Sequence, residues 1–295
     1  MAQTIALISD IHANAAAFNA VKKDIKARNI DAVWCLGDIV GRGPEDVLTA
    51  RRVYRLYKQQ ATADQAHWLS GNHDWLVLGK LSQDVFMDAD TIVGTESGLN
   101  QKALDVALHH ADNLANISEI WAWLQGLPSY YYAGDGIYLV HGVYLRDEAG
   151  VIDRHSVSLY GYPQNLKRMM LNMRDHLPDA DQPRLILLGH THIAGIWRWD
   201  ATAETITQQP ADETVTLTDL GTSPAIINPG SVGFPRGSDC PTYAVLSFGT
   251  AGESLTVDFH EVSYDPSVNT IPDTYAYPPQ YIDEMKRCGG SSTAE

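Results

Sequence analysis

Thr4-Ile-Ala-Leu-Ile-Ser-Asp-Ile-His-Ala-Asn14 opens with an apolar run that stops at Asp10, and Ala32-Val-Trp-Cys-Leu-Gly-Asp38 repeats the arrangement. An apolar run without alternation reads as a strand buried on both faces. Between the two, Phe18, Val21 and Ile25 recur at three- and four-residue spacing, which predicts a helix from Asn14 to Arg28. Pro44 then opens a second helix over Glu45 to Lys58, and His67-Trp-Leu-Ser70 reads as a short third strand. Strand, turn, helix and strand again is the grammar of an α/β sheet, so the chain up to Trp75 decides the fold class.

From Trp75 to Gln125 helical patterning dominates, over Gly98 to His110 and Ile117 to Leu124, and predicts a helical insertion or lid. Strands resume at Ile137-Tyr-Leu-Val140 and Arg184-Leu-Ile-Leu-Leu188, with a helix over Gln164 to His176 between them. Beyond Gly195 the pattern is all strand and turn: Ile196 to Trp199, Thr214 to Leu217, Ala225 to Ile227, Thr242 to Phe248 and Leu255 to Val262. Hairpins forming a second sheet packed on the first are expected there. The organisation expected is one catalytic domain over residues 1–264, with the insertion at about 75–125, and a tail over 265–295. Four prolines and the ending Gly289-Gly-Ser-Ser-Thr-Ala-Glu295 predict a tail with little packing and disordered last residues.

The chain has 295 residues, 44% of them hydrophobic, enough apolar material for a sizeable core. Its 21 Lys and Arg against 36 Asp and Glu leave a net charge of −15. That balance excludes a broad basic surface tracking nucleic-acid phosphates, and no stable nucleic-acid partner is expected. Arg51, Arg52, Arg55 and Lys58 on the second helix read as a solvated face. No apolar run is long enough for a membrane span, and the N-terminus lacks the basic region and cleavage site of a signal peptide. The three cysteines, Cys35, Cys240 and Cys288, are scattered and odd in number, so reduced thiols in a cytoplasmic protein are expected. Oligomeric state leaves no trace in the sequence.

Five successive strand ends carry the residues with chemistry: Asp10-Ile-His12, Gly37-Asp38, Gly71-Asn-His-Asp74, His141-Gly142 and Gly189-His-Thr-His192. In open α/β sheets, ligands bind beyond the carboxyl ends of strands, so the fold brings these side chains to one place. Each motif alone is weak, an Asp at a strand end being most often a helix cap and a single His a core residue. Their conjunction, in order and each after an apolar run, is what a pair of divalent cations needs. Oxygen and imidazole donors without thiolate suit Mn, Fe, Zn or Ni rather than a purely Mg or Ca site.

On these five motifs, spanning residues 10 to 192, the chain resembles the calcineurin-like metallophosphoesterases. Ser9-Asp-Ile-His-Ala-Asn14 and Trp34-Cys-Leu-Gly-Asp-Ile-Val-Gly-Arg-Gly-Pro44 look most like the small bacterial phosphodiesterases among them, and Asn228-Pro-Gly-Ser-Val-Gly233 resembles a turn that recurs there. The resemblance implies a four-layer α-β-β-α sandwich of two mixed sheets and two divalent metal ions. Asp10, His12 and His192 would hold one ion, Asn72, His141 and His190 the other, and Asp38 would bridge them. A water shared by the ions would attack phosphorus in line. His73 would polarise the phosphoryl oxygen or protonate the leaving alkoxide, with Asp74 orienting its ring. The substrate implied is a small phosphate ester, nucleotide-like ones included. A non-catalytic scaffold on the same fold is disfavoured because His73 and every expected ligand are present.

Two departures from the family pattern stand out. Ala13 replaces a usual glycine, which is harmless only if φ there is negative. Arg42 matches an arginine that phosphoprotein phosphatases and the symmetrical diadenosine tetraphosphatase use to grip phosphate, and leaves monoester and dinucleoside polyphosphate hydrolysis open beside diester hydrolysis. Arg236 follows the glycine turn and could reach the same site. Trp121, Trp123 and Tyr130 to Tyr132 read as core or as a base-stacking surface, and His109, His110, His155 and His176 receive no role.

Overall fold

A computed structural model of the chain describes residues 4–30, 32–61, 67–80, 98–153, 156, 159–209, 211, 214–249, 254–271 and 275–289. The strands are β1 (Thr4–Ile8), β2 (Ala32–Cys35), β3 (Tyr130–Tyr132), β4 (Ile137–Val140), β5 (Leu185–Leu188), β6 (Ala194–Asp200), β7 (Thr205–Gln209), β8 (Val215–Leu217), β9 (Ala225–Pro229), β10 (Thr242–Phe248) and β11 (Leu255–Glu261). Among the described residues the helices are α1 (Ala15–Ala27), α2 (Asp46–Ala61), α3 (Asn72–Val77), α4 (Gly98–Ala115), α5 (Ser118–Gly126), α6 (Pro163–His176) and α7 (Pro279–Lys286). One sheet runs β2-β1-β10-β11-β8 and the other β3-β4-β5-β9-β6-β7, both mixing parallel and antiparallel pairs.

The period-two geometry of β1 shows how the layers are bound. Ile5 and Leu7 face the second sheet, meeting Leu185, Leu187, Ile196 and Ile227 in one cluster. Ala6 and Ile8 face outward, where Phe18, Val21 and Ile25 of α1 and Val53 of α2 cover them. On the far side, Val140, Ile186, Leu188 and Ile226 pack against Leu166, Met169, Met170 and Met173 of α6. The result is α-β-β-α, as the family resemblance implies.

Four expectations need correction. The strands after Gly195 do not make a second sheet of their own: β6, β7 and β9 join β4 and β5, while β8, β10 and β11 extend the sheet begun by β1 and β2. The reason is in the core, because β1 needs a second neighbour and β10 supplies it antiparallel, Thr4 opposite Ser247. The third strand shrinks to a single bridge between Cys35 and Trp68.

The tail, expected to pack little, forms α7 and buries Tyr277, Tyr281, Met285 and Cys288. Cys240 and Cys288 are joined in a disulfide across 48 residues, leaving Cys35 free and buried, so the expectation of three reduced thiols fails. The tail folds back over the loop of Cys240, a proximity that cysteine spacing does not encode. Helices α4 and α5, inside the expected insertion, place Leu104, Ala107, Leu114 and Leu124 in the outer core. Residues 81–97, the last residues 290–295 and His155 lie outside the described residues. No helix among the described residues is long and apolar enough to cross a membrane.

Candidate metal centre

The strand-end loops converge because the backbone turns sharply at each of them. Asp10, His12, Asp38, His190 and His192 all adopt positive φ, between 48° and 68°, a region that side chains other than glycine rarely occupy. Such strain persists only where the surroundings over-determine it. Here the first two loops are zipped together: the N–H groups of Asp10, His12 and Ala13 donate to the carbonyls of Gly37, Asp38 and Ile39 at 3.0, 2.8 and 2.9 Å. Ala13 is itself left-handed, with φ 54°, so this zipper holds an alanine where glycine would be unstrained.

The turn at Asn228–Gly233 is the second clamp. Asn228 Nδ2 donates to Gly189 O at 2.7 Å, Ser231 Oγ to Asp10 O at 2.8 Å, and Gly233 N to Asp10 O at 2.8 Å. A Cβ at Gly233 would lie 2.1 Å from Ile11 O, so only glycine lets the turn close on the first loop. Gly71 is tied in the same way, since a Cβ there would meet Asp38 Oδ1 at 2.1 Å.

All seven expected ligands meet in this frame, each less than a tenth exposed. His12 Nε2 lies 3.0 Å from His192 Nε2, 3.7 Å from Asp10 Oδ1 and 3.5 Å from Asp38 Oδ2. His192 Nε2 is 3.2 Å from Asp10 Oδ1. On the other side, His141 Nε2 is 3.3 Å from Asp38 Oδ2 and 2.9 Å from Asn72 Oδ1. Three overlapping groups could each hold a metal ion, their ligand atoms within 4.8 Å of one another: Asp10, His12 and His192; His12, Asp38 and His73; Asp38, His141 and His190.

The hydrogen bonds around the ligands aim their lone pairs inward. His141 Nδ1 donates to Leu36 O at 2.8 Å and His192 Nδ1 donates to Phe234 O at 2.6 Å, so each ring turns Nε2 to the centre. Asp10 Oδ1 and Asp38 Oδ2 are buried and accept no hydrogen bond among the described residues. Two orphaned carboxylate oxygens facing imidazole nitrogens are the donor set a divalent cation satisfies, and the residues fit one.

Titration follows the same geometry. Burial would raise both carboxyls, but His192 holds Asp10 below the usual range and His141 and His73 hold Asp38 well below it. Burial lowers His190 to about 3 with help from His141, and takes His12 well below its ordinary value against the pull of Asp38. Those rings stay neutral and can donate lone pairs. Burial would lower His141 too, yet Asp38 and then Asp10 raise it to about 9, the place where the carboxylates most demand a cation.

His73 has its backbone N–H on Asp38 Oδ1 at 2.8 Å and its ring edge-on to His12, with centroids 4.8 Å apart. Burial lowers it to about 4, with Asp38 opposing. Asp74, expected to orient that ring, has both carboxylate oxygens on backbone N–H groups. Its Oδ1 accepts from Ile39 N at 2.9 Å and Val40 N at 3.0 Å, and its Oδ2 from Gly71 N at 2.9 Å. It stands at the third position of α3 and splices the second loop to the third.

Arg42 does flank the site, but in company. Its guanidinium lies over the rings of Phe234 (5.1 Å) and Tyr281 (4.7 Å), with Nη2 3.4 Å from Glu284 Oε2. Arg236 lies over Tyr160 (5.8 Å), whose ring rests 4.5 Å from that of His190. Trp123 is core, and Tyr130 to Tyr132 form a half-exposed edge strand. Sequence reasoning missed Tyr160, Phe234, Tyr281, Glu284 and His110. Of these only Phe234 had a signal, the adjoining glycine turn. His110 Nδ1 accepts from Gly41 N at 3.1 Å, and its Nε2 lies 2.8 Å from Tyr277 Oη.

The family model for calcineurin-like phosphoesterases matches residues 3–209. The chain belongs to that family. It is therefore a metal-dependent hydrolase of phosphoester bonds. This phosphoesterase is similar to an uncharacterized protein of Methanocaldococcus jannaschii, 34% identical over 183 residues that make up 53% of this chain and 70% of the relative. The crystal structure of a metallophosphoesterase from Sphaerobacter thermophilus superposes with a TM-score of 0.68 at 27% identity, covering 97% of this chain and 98% of that one. A protein from Pyrococcus horikoshii shares the fold, with a TM-score of 0.59 at 18% identity over 96% of this chain and 97% of its own.

Proposed function

We propose that this phosphoesterase binds two divalent cations and hydrolyses small phosphodiesters. The observation that carries the reading is the overlap of three ligand groups through His12 and Asp38, which supports two adjacent ions sharing one carboxylate. Asp10, His12 and His192 would hold the first, Asn72, His141 and His190 the second, and Asp38 both. Bound there, the ions supply an acidified water as nucleophile and positive charge for the phosphoryl oxygens. The donor set admits Mn, Fe, Zn or Ni.

The chain's own residues do the remainder. Neutral His73 donates a hydrogen bond to the phosphoryl oxygen; an anionic substrate beside it raises the ring's proton affinity, so that it takes up a proton from water and, as imidazolium, gives it to the leaving alkoxide. Asp74 and the Asn228–Gly233 turn hold the loops so that the ligands need not reorganise during reaction. Diester over monoester is supported by the state of Arg42, whose charge is already met by Glu284. The alternative, a phosphomonoesterase or dinucleoside polyphosphate hydrolase, rests on the place of Arg42 between Gly41, packed on His73, and Gly43, packed on His12 O.

The test is Mn-dependent hydrolysis of bis-p-nitrophenyl phosphate against p-nitrophenyl phosphate, with a chelated control and a metal count. Two ions per chain and a diester preference lost on chelation are expected. A monoester preference overturns the diester reading, and a single ion overturns the shared carboxylate.

A further inference from the structure

The C-terminal helix α7 is built into the site rather than appended to it. Tyr281 stacks under the Arg42 guanidinium and Glu284, one turn on, approaches its Nη2 at 3.4 Å. The guanidinium also lies 5.1 Å from the ring of Phe234, which stands at 76° to that of Tyr281 with centroids 6.1 Å apart; the Phe234 carbonyl holds His192 and the Phe234 ring is edge-on to His12 at 5.7 Å. Arg42 therefore borders the expected ligands His12 and His192 through Phe234. Helix α7 is itself fixed at its end: Cys288 is bonded to Cys240, and Tyr264 Oη donates to Met285 O at 2.7 Å. Glu284 keeps about a third of its side chain exposed while Arg42 keeps a tenth, so the carboxylate sits on the solvent side of the guanidinium.

We propose that Glu284 is a specificity-determining residue, which holds Arg42 and neutralises its charge so that the site selects a phosphodiester monoanion over a phosphomonoester dianion. This deepens the phosphodiesterase reading and rests on it. A phosphomonoester carries nearly two negative charges at neutral pH and offers a guanidinium two free oxygens, whereas a diester carries one charge. An arginine facing substrate alone would reward the dianion. Paired with Glu284, it gives the dianion no net attraction, and the carboxylate repels the second charge. The two rings packed against the guanidinium restrict its movement, so the pairing persists at moderate salt.

The test uses the full-length, metal-loaded protein with Glu284→Gln and, as conservative rescue, Glu284→Asp. Two quantities are read: the ratio of kcat/KM for p-nitrophenyl phosphate to that for bis-p-nitrophenyl phosphate, and the affinity for inorganic phosphate by calorimetry. Glu284→Gln is expected to raise the ratio about fivefold or more, chiefly through KM for the monoester, and to tighten phosphate by a similar factor, as removal of one partly exposed ion-pair partner allows. Glu284→Asp stays within about twofold of the parent, since the charge is kept. A purely structural role would lower both substrates together and leave the ratio flat. Unchanged ratio and unchanged phosphate affinity in Glu284→Gln overturn the proposal whichever substrate the parent prefers. A monoester preference in the parent, by contrast, overturns the diester reading alone, and the phosphate titration decides on Glu284 even if neither ester turns over.

Discussion

Replacing Asp74 by Asn separates the role found for this residue from the one its sequence position suggests. The carboxylate accepts three backbone N–H groups, from Ile39, Val40 and Gly71, all buried. An amide of the same shape keeps one accepting oxygen. Its cheaper orientation leaves that oxygen on Ile39 and Val40 and turns NH2 toward the Gly71 N–H, so one bond is lost and a buried donor is left facing another donor. Loss of a charge-assisted bond costs about 1.5–3 kcal/mol and an unsatisfied buried donor about 1–3 kcal/mol. Against this, the substitution removes a carboxyl that burial and the neighbouring Asp38 push up to about 7, a charge the fold bears at a cost. The net loss expected is about 2–4 kcal/mol in urea unfolding of the metal-free protein, with weakened metal binding because Gly71 carries Asn72. Were Asp74 instead the partner of His73, stability would change by less than about 0.5 kcal/mol and the acid limb of the kcat–pH profile would move. That pair of results would refute the reasoning.

His73→Ala should cut kcat by about 10²–10⁴ with both metals still bound, as seen by elemental analysis; turnover within a few-fold of the parent would remove His73 from the reaction. Asp38→Asn should lower the occupancy of both ions together, and loss of a single ion would contradict a shared carboxylate. Denaturation without reductant should expose one reactive thiol, Cys35, and reduction should bring the count to three, because Cys240 and Cys288 are bonded; three thiols at the outset would exclude the disulfide. Burial lowers His110 to about 4, so the fold keeps it neutral while the unfolded chain protonates it below about 6.5. Its contribution is therefore present above that value and lost as pH falls toward 4. With chelator present, the stability–pH slope across this window should be shallower in His110→Gln than in the parent, and equal slopes would sink the assignment.

The layers were legible because burial on both faces leaves a local mark. Thr4 to Ile8 and Leu185 to Leu188 read as unbroken apolar runs since one set of side chains faces the other sheet and the alternate set faces a helix. Which sheet a late strand joins leaves no such mark. β9 is buried throughout and inserts between β5 and β6, while β10 lies beside β1, its register set by residues more than two hundred positions away. A hairpin rule sees that β10 and β11 are neighbours and is silent on what else β10 touches.

The site divides along the same line. The expected ligands were legible as candidates because nearly all follow strands, and the ends of strands from the two packed sheets share a place in space. Asp74 looks in sequence like a partner of His73 because it follows that residue directly, whereas the three backbone donors bound to it come from two loops the sequence does not show as adjacent. The tail was misread for a stronger reason. Four prolines and few apolar residues describe a segment unable to fold alone, and α7 does not need to. Its Glu284 pairs with, and its Tyr281 packs on, an arginine 242 residues before Glu284 that is already fixed between two glycines against His73 and His12. A preorganised cation can order a segment whose own composition predicts nothing. Wherever a buried arginine flanks a metal site in this fold, the partner that meets its charge is therefore to be sought by distance in space, and that partner decides how much of the charge a substrate feels.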